Sequence, residues 1–213
     1  MDRPIDTLTG LTSGVELNTE MEALIEKGDE FSLVLMDIDY LSSINRDYGR
    51  EAGDEVFQTI AKHIAKVFPK PCLAFRDSRD EFDILMPGSG KEEAFLKAEE
   101  LRKLVNEEKL DYTSKDGKPI TQSVSIGVSS FPDDGNRPAD VLRRADSAVV
   151  RAKKNGRNQV CLAREEKLIP KTSHYTQGQL EKLTLISKKE DVGEAVLLRE
   201  ALDDLLRKYD VEE

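Results

Sequence analysis

The chain has 213 residues, 38% hydrophobic and 35% charged, which is aliphatic content enough for a buried core and too much for a disordered chain. Its formal charge of −10, from 32 basic and 42 acidic residues, excludes a general polyanion binder and confines any nucleic-acid contact to a local patch. No run approaches the roughly 18 apolar residues of a transmembrane helix. The opening Met1-Asp-Arg-Pro-Ile-Asp6 lacks the charged-then-apolar layout of a signal peptide, so a cytoplasmic protein away from membranes is expected.

Val15, Leu17, Met21, Leu24 and Ile25 recur at helical spacing and predict a helix over 14–27, stopped by Gly28. Phe31 to Ile38 reads as a strand buried on both faces. A long amphipathic helix follows, with Val56, Ile60, Ile64 and Val67 on one face, ending near Pro69; His63 reads as a helix-flank histidine. Two apolar strands, Cys72–Phe75 and Phe82–Met86, flank the polar run Arg76-Asp-Ser-Arg-Asp-Glu81 and form a hairpin by pattern. Then come a helix over 91–108, a turn at Lys115-Asp-Gly117, and a strand over 121–129 with Pro132 beyond it. A helix over 138–154 and a strand over 159–162 close the series. Cys72 and Cys161 each lie in an apolar strand-like run, as reduced core thiols do. Alternating helices and strands around one hairpin predict an α/β fold, an α+β sandwich with a mixed sheet flanked by helices.

The composition changes at Arg164-Glu-Glu-Lys-Leu-Ile-Pro170, a charged connector ending in proline. Residues 1–163 are therefore read as one domain, 164–170 as a linker, and 171–213 as a small second unit. That unit holds a strand candidate (171–175), a helix over about 177–189 and a longer helix over about 192–208. It is too short to bury a core by itself, so it must pack against something or dimerise.

The chemistry concentrates at two places. Asp37-Ile-Asp39 ends the buried strand, where α/β folds place ligands, and paired hard oxygens suit Mg²⁺ with a phosphate. The hairpin tip adds Asp77, Asp80 and Glu81. Should the hairpin lie beside the strand, four or five carboxylates converge, which is costly without a cation.

These residues carry a resemblance. Asp6-Thr-Leu-Thr-Gly-Leu11, Asp37-Ile-Asp39 with Asn45, Gly49 and Gly53-Asp54, Arg76-Asp-Ser-Arg-Asp-Glu-Phe82, Ser125-Ile-Gly-Val128, Ala139-Asp140, Ala145-Asp146, Ala152-Lys153 and Gly156-Arg-Asn158 stand in the order of the GGDEF (diguanylate cyclase) domain. The likeness covers residues 5–163 and implies a nucleotidyl-cyclase-like fold with a mainly antiparallel sheet. It also implies condensation of two GTP into cyclic di-GMP across a dimer, with Mg²⁺ or Mn²⁺. By the same resemblance Asp37, Asp80 and the Ile38 carbonyl match the metal ligands. Glu81 matches the acid that helps hold metal and activates the attacking hydroxyl. Asn45 and Asp54 match the guanine readers, an amide and an acceptor being what that base needs. Lys153 and Arg157, taken as four apart on one helix face, match the triphosphate contacts.

Departures stand beside the matches. The signature's two glycines are Ser78 and Arg79, ahead of the retained Asp80-Glu81-Phe82, and side chains there fill room the nucleotide needs. The phosphate lysine implied at position 42 is Ser42, and the histidine implied after Gly49 is Arg50. Pro69-Lys-Pro-Cys72 occupies the window of the family's inhibitory Arg-x-x-Asp site. The chain reads as a degenerate member.

Residues 171–209 resemble the ribbon-helix-helix family, chiefly through a Thr176 helix cap and Leu198-Arg-Glu-Ala-Leu202 in the second helix. That family pairs two strands into a ribbon that enters the DNA major groove. The register places Thr172 and His174 toward DNA, and Lys171, Ser173 and Tyr175 toward the helices. Residues 163–213 nevertheless carry 9 basic and 12 acidic residues, a net of −3, which is poor for phosphate contact. The function expected is a non-catalytic or weakly active GGDEF protein that binds GTP or cyclic di-GMP and signals through a homodimeric tail, to DNA or to a partner protein. An active diguanylate cyclase and a scaffold without nucleotide binding are the alternatives.

Overall fold

The structure, a computed structural model, describes residues 4–76, 80–110, 119–163, 171–190 and 193–209. It divides into two compact units, Met1–Glu166 and Lys167–Glu213.

The first unit is a six-stranded mixed sheet with helices on both faces. Its strands are β1 (Thr12–Ser13), β2 (Phe31–Ile38), β3 (Leu73–Arg76), β4 (Glu81–Pro87), β5 (Val124–Phe131) and β6 (Val160–Leu162). They run in the order β1-β3-β4-β2-β5-β6. β2 is central and antiparallel to both β4 and β5; only the outer pairs, β1 with β3 and β5 with β6, are parallel. Side chains alternate across a strand, so parity decides which layer each residue joins. Val34, Met36 and Ile38 enter a core with α2 (Leu41–Tyr48), α3 (Arg50–Val67) and α4 (Lys91–Glu107). Phe31, Leu33 and Leu35 enter the opposite core with α1 (Leu17–Lys27) and α5 (Pro138–Lys154). A strand buried on both faces reads as a continuous apolar run, and all eight residues of β2 are buried.

Asp37 shares the parity of Leu33 and Leu35 and so belongs to the α5 face. On that face β5 presents Ser125, Gly127 and Ser129, and these small residues let α5 approach closely. A Cβ at Gly127 would stand 2.1 Å from the Ala145 carbonyl oxygen, and the Ser129 hydroxyl donates to the Val141 carbonyl at 2.8 Å. This close seating carries the C-terminal end of α5 to the end of β2.

Several expectations about the elements are corrected. The long helix after β2 is two helices, α2 and α3, broken at Gly49, whose φ of 94° a side chain would resist. Residues 14–16 form a 3₁₀ turn before α1, leaving Val15 of the predicted stripe 73% exposed. β5 starts at Val124, three residues later than the apolar pattern. β1, two residues long, has no periodicity to announce it. Cys72 and Cys161 are free thiols, half-buried rather than fully in the core. His63 lies at the α3 flank and meets Glu108 at 3.1 Å.

The second unit contains α6 (Gln177–Glu190) and α7 (Glu194–Tyr209). A capping box opens α6: the Gln179 amide N–H donates to the Thr176 hydroxyl at 3.3 Å, and the Thr176 N–H donates to the Gln179 side-chain oxygen at 2.9 Å. Residues 171–175, expected as a strand, form no strand among the described residues; the rest of this unit offers only helices, which give a strand no ladder to join. An apolar groove is lined by Tyr175, Leu180, Leu183, Ile186 and Leu198.

Candidate functional site

At the end of β2, register brings acids together from two strands. Asp37 lies opposite Glu81 of β4 and Ser125 of β5. The hairpin stays laddered to β2 here, since the Ile38 N–H donates to the Asp80 carbonyl at 3.1 Å. The Asp37 side chain is only 8% exposed, and Lys153 Nζ of α5 sits 2.7 Å from its Oδ2. Burial pushes the Asp37 carboxyl up to about 6; Lys153 opposes this, while Asp80 and Asp39 add to it.

Asp39, two residues on and buried, was expected to pair with Asp37 toward Mg²⁺ and is instead the hub of a hydrogen-bond network within the chain. Ser123 Oγ donates to its Oδ2 and Ser125 Oγ to its Oδ1, each at 2.7 Å; the Asn158 backbone N–H donates to Oδ2 at 3.1 Å. Arg157 Nε stands 4.0 Å from Oδ1. The signal for this hub was the Ser-x-Ser alternation at 123–125, which puts both hydroxyls on the carboxylate face. Arg157 is not on the helix face with Lys153 as expected. α5 ends at Lys154, and Arg157 follows in a left-handed turn at φ 64°, so the two cations reach different carboxylates.

Asn45 comes from α2, which starts just after Asp39, and Asp54 from α3, which follows it. Asn45 of α2 lies directly over Gly53 of α3, where a Cβ would stand 2.0 Å from its Oδ1. Asp54 is exposed beside it, and Ser42 is exposed on α2. Phe82 is buried in the α3-side core, its ring 5.9 Å from Phe57. Ser78 and Arg79, with Asp77, lie outside the described residues. Thr172 and His174 are exposed in the second unit.

The site also has a brace that the sequence reading missed. Arg76, at the end of β3, donates from Nη1 to both carboxylate oxygens of Asp6 at 3.0 Å and stacks 3.9 Å over Phe57. Asp6 in turn accepts the Thr9 N–H and hydroxyl, at 2.8 and 2.6 Å. Together these hold the N-terminal turn against the strand that leads into the signature hairpin.

Among the described residues no three acidic, histidine or cysteine side chains stand close enough to enclose a metal. The donor set still fits Mg²⁺. That ion takes one or two carboxylates and fills its remaining positions with water and phosphate oxygens, and here a lysine ammonium occupies the cationic position beside Asp37.

The first unit thus combines a mixed sheet, acids at the end of its central strand and basic residues from the α5 side. The model of the GGDEF diguanylate cyclase domain matches residues 4–159, and the chain belongs to that family. A ribbon-helix-helix domain model matches residues 167–210, giving the chain a second domain of that kind. Diguanylate cyclase A of Treponema denticola is 37% identical over 139 residues, 65% of this chain and 37% of that protein. The response regulator PleD of Caulobacter vibrioides is 33% identical over 160 residues, 73% of this chain and 35% of that protein. This chain thus spans about a third of these relatives. The DgcB GGDEF domain of Caulobacter crescentus, solved with c-di-GMP, superposes with a TM-score of 0.67 at 28% identity, covering 76% of this chain and 97% of that one. No described helix is long and apolar enough to cross a membrane.

Proposed function

We propose that the first unit binds a guanine nucleotide with Mg²⁺ (or Mn²⁺), makes little or no cyclic di-GMP, and passes its state to a dimeric ribbon-helix-helix tail. Asp37 and Asp80, with the Ile38 carbonyl and Glu81, would hold the metal. Bound there, the metal would neutralise phosphate charge. Asn45 and Asp54 read the base; Lys153 and Arg157 take the phosphates. The observation that carries this reading is the Lys153–Asp37 pair at 2.7 Å. A phosphate cation and a metal carboxylate are there joined to each other, ready to separate toward a metal-bound triphosphate. Relatives named as diguanylate cyclases, and a structural neighbour solved with c-di-GMP, support the ligand class.

Low activity is inferred from Ser78, Arg79 and Ser42 in place of two glycines and a phosphate lysine. Losing one charge-assisted contact costs on the order of 2–3 kcal/mol. Dimerisation of the tail comes first, and DNA or a protein partner is its target. Calorimetric titration with GTP and with cyclic di-GMP, with and without Mg²⁺, tests the reading alongside an assay for product. Mg²⁺-dependent GTP binding without turnover supports it. Robust product formation makes the chain a working diguanylate cyclase, and absence of binding at millimolar nucleotide makes it a scaffold.

A further inference from the structure

Two unusual backbones face each other across the site. Tyr40, between Asp39 and α2, is left-handed at φ 58°, and Arg157 and Asn158 are left-handed at 64° and 45°. Residues other than glycine adopt this region rarely and hold it only when their surroundings fix them. Both sides are fixed by Asp39, which takes the hydroxyls of Ser123, just ahead of β5, and of Ser125 within it, and the Asn158 N–H. Across this anchor the Arg157 guanidinium lies over the Tyr40 ring, 4.5 Å from its centroid. Tyr40 is otherwise 59% exposed, a large ring left in solvent at the mouth of a charged site.

A guanidinium stacks through its faces and hydrogen-bonds through its edges, so stacking consumes none of its donors. At 4.0 Å the Asp39 carboxylate attracts Arg157 without a close hydrogen bond at that atom. The side chain is 38% exposed and is held in place by a ring and a buried charge. From this geometry we infer that Tyr40 and Asp39 are positioning residues that preorganise Arg157 for the phosphates of a bound nucleotide. Tyr40 sets the plane of the guanidinium, and Asp39 sets the turn that carries it. The exposed Tyr40 ring thereby has a purpose, and the missing cation at Ser42 is offset by an arginine whose rotamers are already restricted.

This inference rests on the nucleotide reading above, and the test separates the two. GTP, GDP and GMP are titrated calorimetrically into the full chain at fixed Mg²⁺. Tyr40→Asn removes the ring while suiting the left-handed backbone. It is expected to weaken GTP binding about 3- to 5-fold, GDP less, and GMP hardly at all. Tyr40→Phe keeps the stack and stays within about twofold of wild type. Arg157→Lys keeps the charge but not the planar stack and follows Tyr40→Asn. Adding Tyr40→Asn to it changes nothing further. Equal loss for all three nucleotides, or no loss with GTP, overturns the inference while leaving nucleotide binding intact. A wild-type chain that binds none of them overturns the nucleotide reading itself, and this inference with it.

Discussion

Asp37 is a carboxylate buried at a strand end with two other acids near it and one lysine against it. Its carboxyl titrates near 6 against an ordinary 3.8, so between those values the folded chain holds a proton that the unfolded chain has released. The stability it contributes is fully present below the lower value and is lost as pH rises through the upper one. Asp37→Asn should therefore raise the melting temperature at about pH 7.5, by roughly 1–2 kcal/mol in stability, and the gain should vanish towards pH 4. The gain stays below the full shift because Lys153 loses its partner. Thermal melts of both proteins across that range check this; a gain independent of pH would contradict it. A metal held by Asp37, as proposed, would run the other way and bind more tightly as Asp37 deprotonates. Gly53 makes a second residue-scale case. Ala there would place its Cβ 2.0 Å from Asn45 Oδ1, the end of a side chain that can swing away. Gly53→Ala should leave stability unchanged or about 0.5 kcal/mol higher, as expected for glycine removed from a helix, yet abolish preference for GTP over ATP. Competition titrations with the two nucleotides would show it.

At the scale of elements, the seating of α5 on β5 places Lys153. Gly127→Ala pushes a methyl group to 2.1 Å from the Ala145 carbonyl, a backbone atom that cannot step aside. The expected cost is about 2–3 kcal/mol in urea unfolding, as for other overpacked cores. In the second unit the Thr176–Gln179 box caps α6, and Thr176→Ala should remove about 1 kcal/mol and lower the helical circular dichroism signal. Most elements were legible in the sequence because they are long and periodic: α5 runs over the residues its apolar spacing predicted, and β2 is apolar throughout. The α2–α3 break was not, because Gly49 sits inside a run whose helical periodicity continues on both sides. β1 was not, because two residues carry no period.

At the scale of the whole chain, the first unit closes around two cores, while in the second unit several described leucines and an isoleucine stay exposed. Leu180, Ile186, Leu202, Leu205 and Leu206 are each between 43% and 53% exposed, and Leu185 is 68% exposed. Such a surface on a small helical pair calls for a partner. The full chain is expected to be a dimer by light scattering, and a chain ending at Glu166 a monomer; a monomeric full chain would remove the tail from the signalling scheme. Pairing of residues 171–175 between two copies would supply the ladder that one copy lacks.

Membership of the GGDEF family was legible in the sequence by itself. Acids at a strand end, an amide and an acid in the helices beyond it, and a lysine in the last turn of a helix with an arginine past its end carry the family resemblance because residue type and order survive folding unchanged. Tertiary structure alone decided who meets whom. Strand register set Asp37 against Glu81 and turned Ser123 and Ser125 toward Asp39. The end of α5 at Lys154 sent Lys153 and Arg157 to separate carboxylates, and a left-handed turn laid Arg157 on Tyr40. Such pairings join residues up to 119 positions apart. Local spacing cannot encode them, because they depend on how three strands and a helix are aligned in space.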